Sequence, residues 1–220
     1  MNTYNLQESK KMSQFAKPTG FSGKMLAKGM ARGHKDFYKN TARVINPTPD
    51  DIYLEIGYGS GIFIKKYMSH VSKIDGIDYS EDMVTLATDI NKNLVASGKA
   101  EFKQGNATLL PYADNEFTIV AMIEVFFFIA ETEKTLKEIY RVLKPGGRIV
   151  IEMAYNKDDG VDHTRHVKKM NLHLYSGEEM KNLLKHAGFS EIVIEYYKAF
   201  WMPIKGYLVP KGMIIKGIKK

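Results

Sequence analysis

The turn that follows the apolar segment 52–56 carries three glycines within five residues, at Gly57, Gly59 and Gly61. Glycine adopts backbone dihedral angles that other residues resist, and it lets a ligand approach the main chain where a Cβ atom would collide. A strand, a glycine-rich turn and a helix in this order place such a ligand at the carboxyl end of the strand. The spacing therefore predicts a nucleoside-binding turn.

Two acidic residues accompany this turn. Asp78 follows Gly57 by 21 residues, at the end of the next apolar segment, where a carboxylate can accept hydrogen bonds from both ribose hydroxyls. Glu55 precedes the first glycine by two positions. Nicotinamide cofactors use a similar turn with the fingerprint G-x-G-x-x-G/A, whereas here Gly61 comes one residue earlier and Ile62 follows it. The residues alone do not identify the nucleoside, although their spacing departs from the pyrophosphate-binding pattern.

Short apolar segments alternate with helical patterns along most of the chain. These segments predict strands at residues 52–56, 73–78, 100–104, 117–123 and 147–153. Ser80 and Thr132 stand where helices begin. Ser176 and Glu179 form a capping-box pattern for a further helix, with Gly188 at its end. Repeated strand, helix, strand units predict a parallel sheet that is covered on both faces.

The two ends of the chain break this alternation. Residues 190–197 and 212–218 both read as strands, and the segment between them is too short for a helical crossover, so they predict an antiparallel hairpin. Residues 1–48 are helical in composition but are interrupted by glycines. We interpret them as a helical cap or lid segment, which completes the acceptor pocket, beside a cofactor-binding domain at 49–220.

Four motifs, in order, resemble those of the class I S-adenosylmethionine-dependent methyltransferases. They are LEIGYGSG (54–61), GIDYSEDMV (76–84), GNATLLPYADNEF (105–117) and LKEIYRVLKPGGRIVI (136–151). The last is typical of the branch that includes the ubiquinone and menaquinone biosynthesis methyltransferases. The resemblance covers about Asp51 to Lys220. It implies an α/β fold with a doubly wound, seven-stranded, Rossmann-like sheet whose last strand is antiparallel, preceded here by the N-terminal helical cap.

The same resemblance implies S-adenosylmethionine as the cofactor and assigns roles to individual residues. Asp78 would hold the ribose, Tyr79 would flank the adenine, and Glu55 would orient the methionine part. Asn106 stands where the family usually has Asp, and its carbonyl oxygen can still accept a hydrogen bond from the adenine amino group. The implied cofactor-binding residues are Glu55, Gly57, Tyr58, Gly59, Gly61, Asp78, Tyr79, Met83, Asn106, Ala107 and Ile123.

The chain departs from the family after the fourth strand, where many relatives carry S-x-V-L-x-H. IEVFFFIAE stands there instead, which predicts an apolar wall of Phe126, Phe127 and Phe128 near the methyl group. Glu124 can meet the cofactor's ammonium or an acceptor amine, or it can be a structural carboxylate. The other candidates for a catalytic or acceptor contact are His34, His163 and His166. Their spacing does not predict a metal site.

Composition narrows the classes of function. Cysteine is absent, which excludes disulfides, thiolate zinc sites and cysteine nucleophiles. The start lacks the apolar core of a signal peptide, and the longest apolar run, 117–130, is too short to span a bilayer, so we expect a cytoplasmic protein. The formal net charge is +7, and residues 200–220 contain lysines but no acid, which suits a solubilising surface, phosphate or peripheral contact with an anionic membrane.

Methyl transfer needs an activated methyl group, an aligned acceptor and the exclusion of water, so no catalytic motif has to identify the acceptor. The sequence is interpreted as an enzyme that methylates a small organic molecule. An RNA-directed methyltransferase, favoured by the positive charge, is one alternative. A non-catalytic protein that binds S-adenosylmethionine is the other.

Overall fold

The computed structural model describes residues 19, 20, 22, 23, 25, 29, 35–198 and 211–220. The strands are β1 (Ile52–Ile56), β2 (Lys73–Asp78), β3 (Ala100–Gln104), β4 (Phe117–Ile123), β5 (Leu143–Met153), β6 (Phe189–Lys198) and β7 (Lys211–Lys219). They form one seven-stranded sheet in the order β3-β2-β1-β4-β5-β7-β6, in which β7 runs antiparallel to both of its neighbours. The predicted fold class and the antiparallel last strand are confirmed.

Helices cover both faces of this sheet. They are α1 (Lys35–Ile45), α2 (Glu81–Ile90), α3 (Lys92–Ala96), α4 (Thr132–Val142), α5 (Thr164–Met170) and α6 (Gly177–His186). A π-helical turn spans Ile64–Met68, and a 3-10 turn spans Phe126–Phe128. No helix in the described part of the chain is long and apolar enough to cross a bilayer.

Local signals in the sequence predict most element boundaries, and the start of β5 is an exception. The capping box at Ser176 is present, since its hydroxyl accepts the Glu179 N–H at 3.2 Å and the Glu179 carboxylate accepts the Ser176 N–H at 2.7 Å. Ser80 is the N-cap residue of α2, as predicted, although its side chain is fully buried and forms no capping hydrogen bond. β5 begins at Leu143 instead of residue 147, because Leu143 already pairs with Phe117 beside an irregularity in the β4–β5 register.

Only part of the predicted cap segment falls within the described residues. α1 packs against the sheet, where Phe37 and Ile45 are buried. Nearer the start of the chain, the Gly20 N–H donates to the Asp82 carboxylate at 2.8 Å. Most of residues 1–34, including His34, lie outside the described residues.

The basic end of the chain is not uniformly a solvated surface. Lys219 is 9% exposed, and its ammonium group donates to Asn115 Oδ1 at 2.8 Å and lies 4.8 Å from the ring centre of Tyr140. Burial lowers the pKa of Lys219 below its usual range. Lys220, in contrast, is exposed. Lys219 therefore anchors β7 to the loop before β4 and to α4.

We expect Lys219→Met to lower the free energy of unfolding by roughly 1–3 kcal/mol, because it removes the hydrogen bond to Asn115 and the cation beside the Tyr140 ring. Lys220→Met is the matched control and should change it by less than about 0.5 kcal/mol. Urea unfolding of the two variants measures the difference. Equal stabilities would contradict a structural role for Lys219.

Candidate active site

Gly57 and Gly59, the first two glycines of the turn, shape the carboxyl end of β1. Gly57 has a φ of +75°, and a Cβ atom there would lie 2.5 Å from a methyl carbon of Val125, which follows β4. Gly59 has a φ of +53°, but a Cβ atom there would meet nothing within 4 Å. Gly57 therefore brings the ends of β1 and β4 together, whereas Gly59 leaves free space above the turn that a ligand can enter.

Gly61 has a different role. Its φ is +69°, and a Cβ atom would lie 2.6 Å from Asn91 Nδ2 and 2.9 Å from the Ala87 side chain. The Asn91 amide donates to the Gly61 carbonyl at 3.1 Å and to the Ala87 carbonyl at 2.9 Å. This third glycine is thus required for packing against the end of α2, as in dinucleotide-binding turns.

The Asp78 carboxylate joins the turn to the end of β2. One oxygen accepts the Gly59 N–H at 2.9 Å, and the other accepts the Ser80 N–H at 2.9 Å. Asp78 is 8% exposed, and burial raises its pKa although these backbone donors oppose the shift. Each carboxylate oxygen keeps a further acceptor position, so the pair of oxygens can still bind two hydroxyl groups.

An open cleft runs from this turn along the carboxyl edge of the sheet. It is lined by Ile56, Gly57, Ile77, Tyr79, Gly105, Asn106, Ala107, Thr108, Val125, Phe128, Ile129, Ala130 and Glu131. Tyr79 is half exposed at its rim. Asn106 Oδ1 accepts the Thr108 N–H at 3.0 Å, which leaves its second lone pair for a ligand amino group. The cleft therefore combines an apolar floor with a few polar groups, as nucleoside sites do.

Several of the predicted cofactor-binding residues lie beneath the cleft instead of lining it. The Tyr58 ring is buried against Phe102, with ring centres 5.0 Å apart, and its hydroxyl donates to the Lys103 carbonyl at 3.3 Å. Met83 and Ile123 are buried in the same apolar cluster. Of the predicted aromatic wall, Phe128 lines the cleft, whereas Phe126 and Phe127 are buried in the core.

Three carboxyl groups lie near the carboxyl ends of β1, β4 and β5. Glu55 is 2% exposed and accepts the Tyr53 hydroxyl at 2.7 Å, and burial raises its pKa to about 8. Glu124 has a φ of +58° and accepts the Ala154 N–H, and burial raises its pKa to about 7. Glu152 is fully buried and accepts the Tyr197 hydroxyl; burial, then the charge of Glu124, raise its pKa well above the usual range.

Sequence reasoning did not select Glu152 or Tyr197. An acid inside the apolar strand GRIVIEM was the available signal for Glu152, since buried acids need a partner or a function. Tyr197 stands 45 positions further on, in β6, and its side chain reaches Glu152 of β5 across the intervening strand β7. No local pattern in the chain indicates that contact.

Of the three histidine candidates, His163 has a described side chain, and it is not among the residues that line the cleft. His163 is buried, with Nε2 2.7 Å from the Asp159 carboxylate and its ring 5.4 Å from that of Tyr155. His166 belongs to α5, but its side chain, like all of His34, lies outside what the structure describes. Among the residues that are described, no group of three or more acids and histidines could hold a metal ion.

The fold and the cleft resemble those of the class I, S-adenosylmethionine-dependent methyltransferases, and comparison with known proteins agrees with this resemblance. Residues 54–151 match the family model described as a methyltransferase domain. The chain is 27% identical to the ubiquinone/menaquinone biosynthesis C-methyltransferase of Haemophilus ducreyi, over 66% of this chain and 65% of that protein. The predicted family resemblance and the predicted cofactor are confirmed.

Two further relatives share the domain. Phosphoethanolamine N-methyltransferase 1 of Zea mays is 26% identical over 76% of this chain and 33% of its own length. Phosphoethanolamine N-methyltransferase 2 of Haemonchus contortus, solved with S-adenosylmethionine, superposes with a TM-score of 0.72 at 18% identity, covering 84% of this chain and 52% of that one. The chain thus spans less than two thirds of the length of the curated relatives described here.

The different roles of the glycines predict different defects. Gly61→Ala should lower the free energy of unfolding by roughly 2–4 kcal/mol, because left-handed strain adds to overlap with Asn91 and Ala87. Gly59→Ala should cost only about 1–2 kcal/mol from strain, but it should weaken binding of S-adenosylhomocysteine because its methyl group enters the ligand space. Urea unfolding and calorimetric titration test the pair. A Gly59→Ala variant with unchanged affinity would contradict this placement of the ligand.

The raised pKa of Glu55 leads us to expect that the stability of the protein depends on pH. Its pKa is raised from about 4.5 to about 8 on folding, so between these values the unfolded chain releases a proton that the folded chain retains, and stability falls as pH rises. The Glu55→Gln variant has no titrating carboxyl group at this position, so it does not lose this stability as pH rises. The melting temperature of the variant minus that of the wild type, measured without ligand, should therefore grow from pH 4.5 to pH 8. A difference that shrinks over this window would show that Glu55 is ionised in the folded protein.

Proposed function

We propose that the chain transfers the methyl group of S-adenosylmethionine to a small organic molecule. The observation that carries this proposal is the Asp78 carboxylate, which is bound to the N–H groups of Gly59 and Ser80 beside an open glycine turn. This arrangement offers acceptors to a ribose and backbone space to the adjoining sulfonium side chain. The cofactor supplies a methyl group that is already activated for transfer.

The residues of the chain then have to bind the cofactor and the acceptor, orient them and exclude water from the site. Asp78 holds the ribose, and Tyr79 and Asn106 flank the base at the other end of the cleft. Val125, pressed against Gly57, sets the distance between the turn and the end of β4. A nucleoside fixed along this edge directs its sulfonium toward the ends of β4 and β5. Such positioning supplies much of the acceleration of a methyl transfer.

A small-molecule acceptor is supported by the names of two relatives, a ubiquinone/menaquinone biosynthesis C-methyltransferase and a phosphoethanolamine N-methyltransferase. The alternative of an RNA acceptor relied on the basic end of the chain. Lys219 is engaged with Asn115 and Tyr140, which removes one of those charges from any phosphate-binding surface. Residues 1–48 are proposed as the cap over the acceptor, with α1 as its described part.

Asp78→Asn keeps the shape of the side chain but removes its charge and one acceptor oxygen. We expect it to weaken S-adenosylmethionine and S-adenosylhomocysteine alike, by roughly 1–3 kcal/mol, through the loss of charge-assisted hydrogen bonds. Asp89→Asn, on the exposed side of α2, is the control and should bind as the wild type does. Calorimetric titration measures both. Binding of NADH with no binding of either adenosyl ligand would overturn the cofactor site.

The acceptor is sought by incubating the full chain with methyl-labelled S-adenosylmethionine and a small-molecule extract, followed by mass spectrometry. We expect label in at least one compound below the size of a nucleic acid. Label confined to RNA, with transfer that falls steeply as salt rises, would favour the RNA alternative, because phosphate contacts release counterions.

A further inference from the structure

The carboxyl groups of Glu124 and Glu152 are neighbours at the carboxyl edge of the sheet. Ile123 is paired in register with Glu152, and the Glu124 N–H donates to the Glu152 carbonyl at 3.0 Å. Each acid affects the other, since the charge of Glu124 adds to burial in raising the pKa of Glu152. They therefore constitute a pair of acids, here called the carboxyl pair.

The carboxyl pair is incompletely satisfied. Glu152 is fully buried, one of its oxygens accepts the Tyr197 hydroxyl, and no donor among the described residues reaches its Oε2 atom. Within the same part of the chain, no lysine, arginine or histidine forms an ion pair with Glu124 or Glu152. A buried carboxylate oxygen without a partner is costly, so its retention points to a ligand that supplies the missing donor.

The surroundings of the carboxyl pair leave it with at most one negative charge near neutral pH. Repulsion between two adjacent carboxylates keeps one proton bound, and burial raises the pKa of both acids. The facing groups are Tyr38 of α1, Glu55 of β1, Tyr155 after β5 and Tyr197 of β6. Burial raises the pKa of each of these groups, so that all four are mainly neutral near pH 7.

The position of the carboxyl pair relates it to the proposed cofactor site. Val125 lines the cofactor cleft and contacts Gly57, and Glu124 is the residue directly before it. Glu124 accepts the Ala154 N–H at the end of β5, so its carboxyl group is held between the ends of β4 and β5. A methyl group directed along this edge would approach the carboxyl pair.

We infer that Glu124 and Glu152 together bind the ammonium group of the methyl acceptor and accept its proton, so that the acceptor is an organic amine. This inference rests on the proposed methyl transfer. The ammonium gives one proton to the carboxyl pair and becomes a neutral amine. Its nitrogen lone pair then bonds to the methyl carbon while the carbon–sulfur bond breaks, with both electrons going to sulfur. The methylated ammonium leaves, and the carboxyl pair returns its proton to solvent.

The shared proton can be observed without knowing the acceptor. Infrared difference spectra of the full chain, saturated with S-adenosylhomocysteine, should show two protonated carboxyl bands at pH 7. Glu55→Gln removes the first, which belongs to Glu55, and both Glu124→Gln and Glu152→Gln should remove the second. Glu178→Gln, on the exposed surface of α6, is the control and should retain both bands. A second band that survives in both variants, or the absence of a second band in the wild type, would overturn the carboxyl pair. Circular dichroism checks that each variant is folded.

The acceptor class is tested on the labelled products of the small-molecule screen. We expect an N-methylated amine, and we expect Glu152→Gln to lower its rate of formation about 100-fold at pH 7, with a smaller loss at alkaline pH where the amine deprotonates unaided. Affinity for S-adenosylhomocysteine should not change, whereas a large fall would assign the carboxyl pair to the cofactor's own ammonium and overturn the inference. An O- or C-methylated product would also overturn it. No labelled product from a chain that binds the cofactor would instead refute the proposed function, and the inference with it.

Discussion

The hydrogen bond from the Gly59 N–H to the Asp78 carboxylate joins the first two strands at their functional ends, and the cofactor cleft depends on it. The Gly57 N–H reinforces the junction by donating to the Ile77 carbonyl at 2.7 Å. A turn held at two points keeps its N–H groups and its open face in a fixed orientation before any ligand arrives. Preorganisation of this kind reduces the entropic cost of ordering the site when a ligand binds.

Two buried acids of the sheet, Asp51 and Glu152, have different surroundings. At the amino end of β1, hydrogen bonds from Thr118 and Arg148 hold the pKa of Asp51 below its usual range although burial opposes them. Its carboxylate lies 2.9 Å from Arg148, and the contact joins β1 to β5. Glu152, at the opposite end of β5, has no such cation within the described residues. An ion pair thus stabilises the amino edge, whereas the Oε2 atom of Glu152 at the carboxyl edge has no hydrogen-bond donor among the described residues.

The predictable part of this protein is local in sequence. The glycine turn, the strands and the capping box at Ser176 each follow from residues only a few positions apart, so the order of elements and the carboxyl-edge site could be derived before the structure. The same reasoning predicted that all three glycines bind the cofactor. The contact between Gly61 and Asn91, which the structure reveals, shows that Gly61 packs against the end of α2. Contacts between distant residues, such as Glu152 with Tyr197 or Lys219 with Asn115, depend on strand order and leave no local pattern.

The most direct test of the whole account is a crystal structure of the full chain with S-adenosylhomocysteine. We predict the ribose hydroxyls on the Asp78 carboxylate, the adenine between Tyr79 and Asn106, and the sulfur beside Val125, facing Glu124. A nucleoside bound away from Asp78, or a sulfur directed away from the ends of β4 and β5, would contradict it.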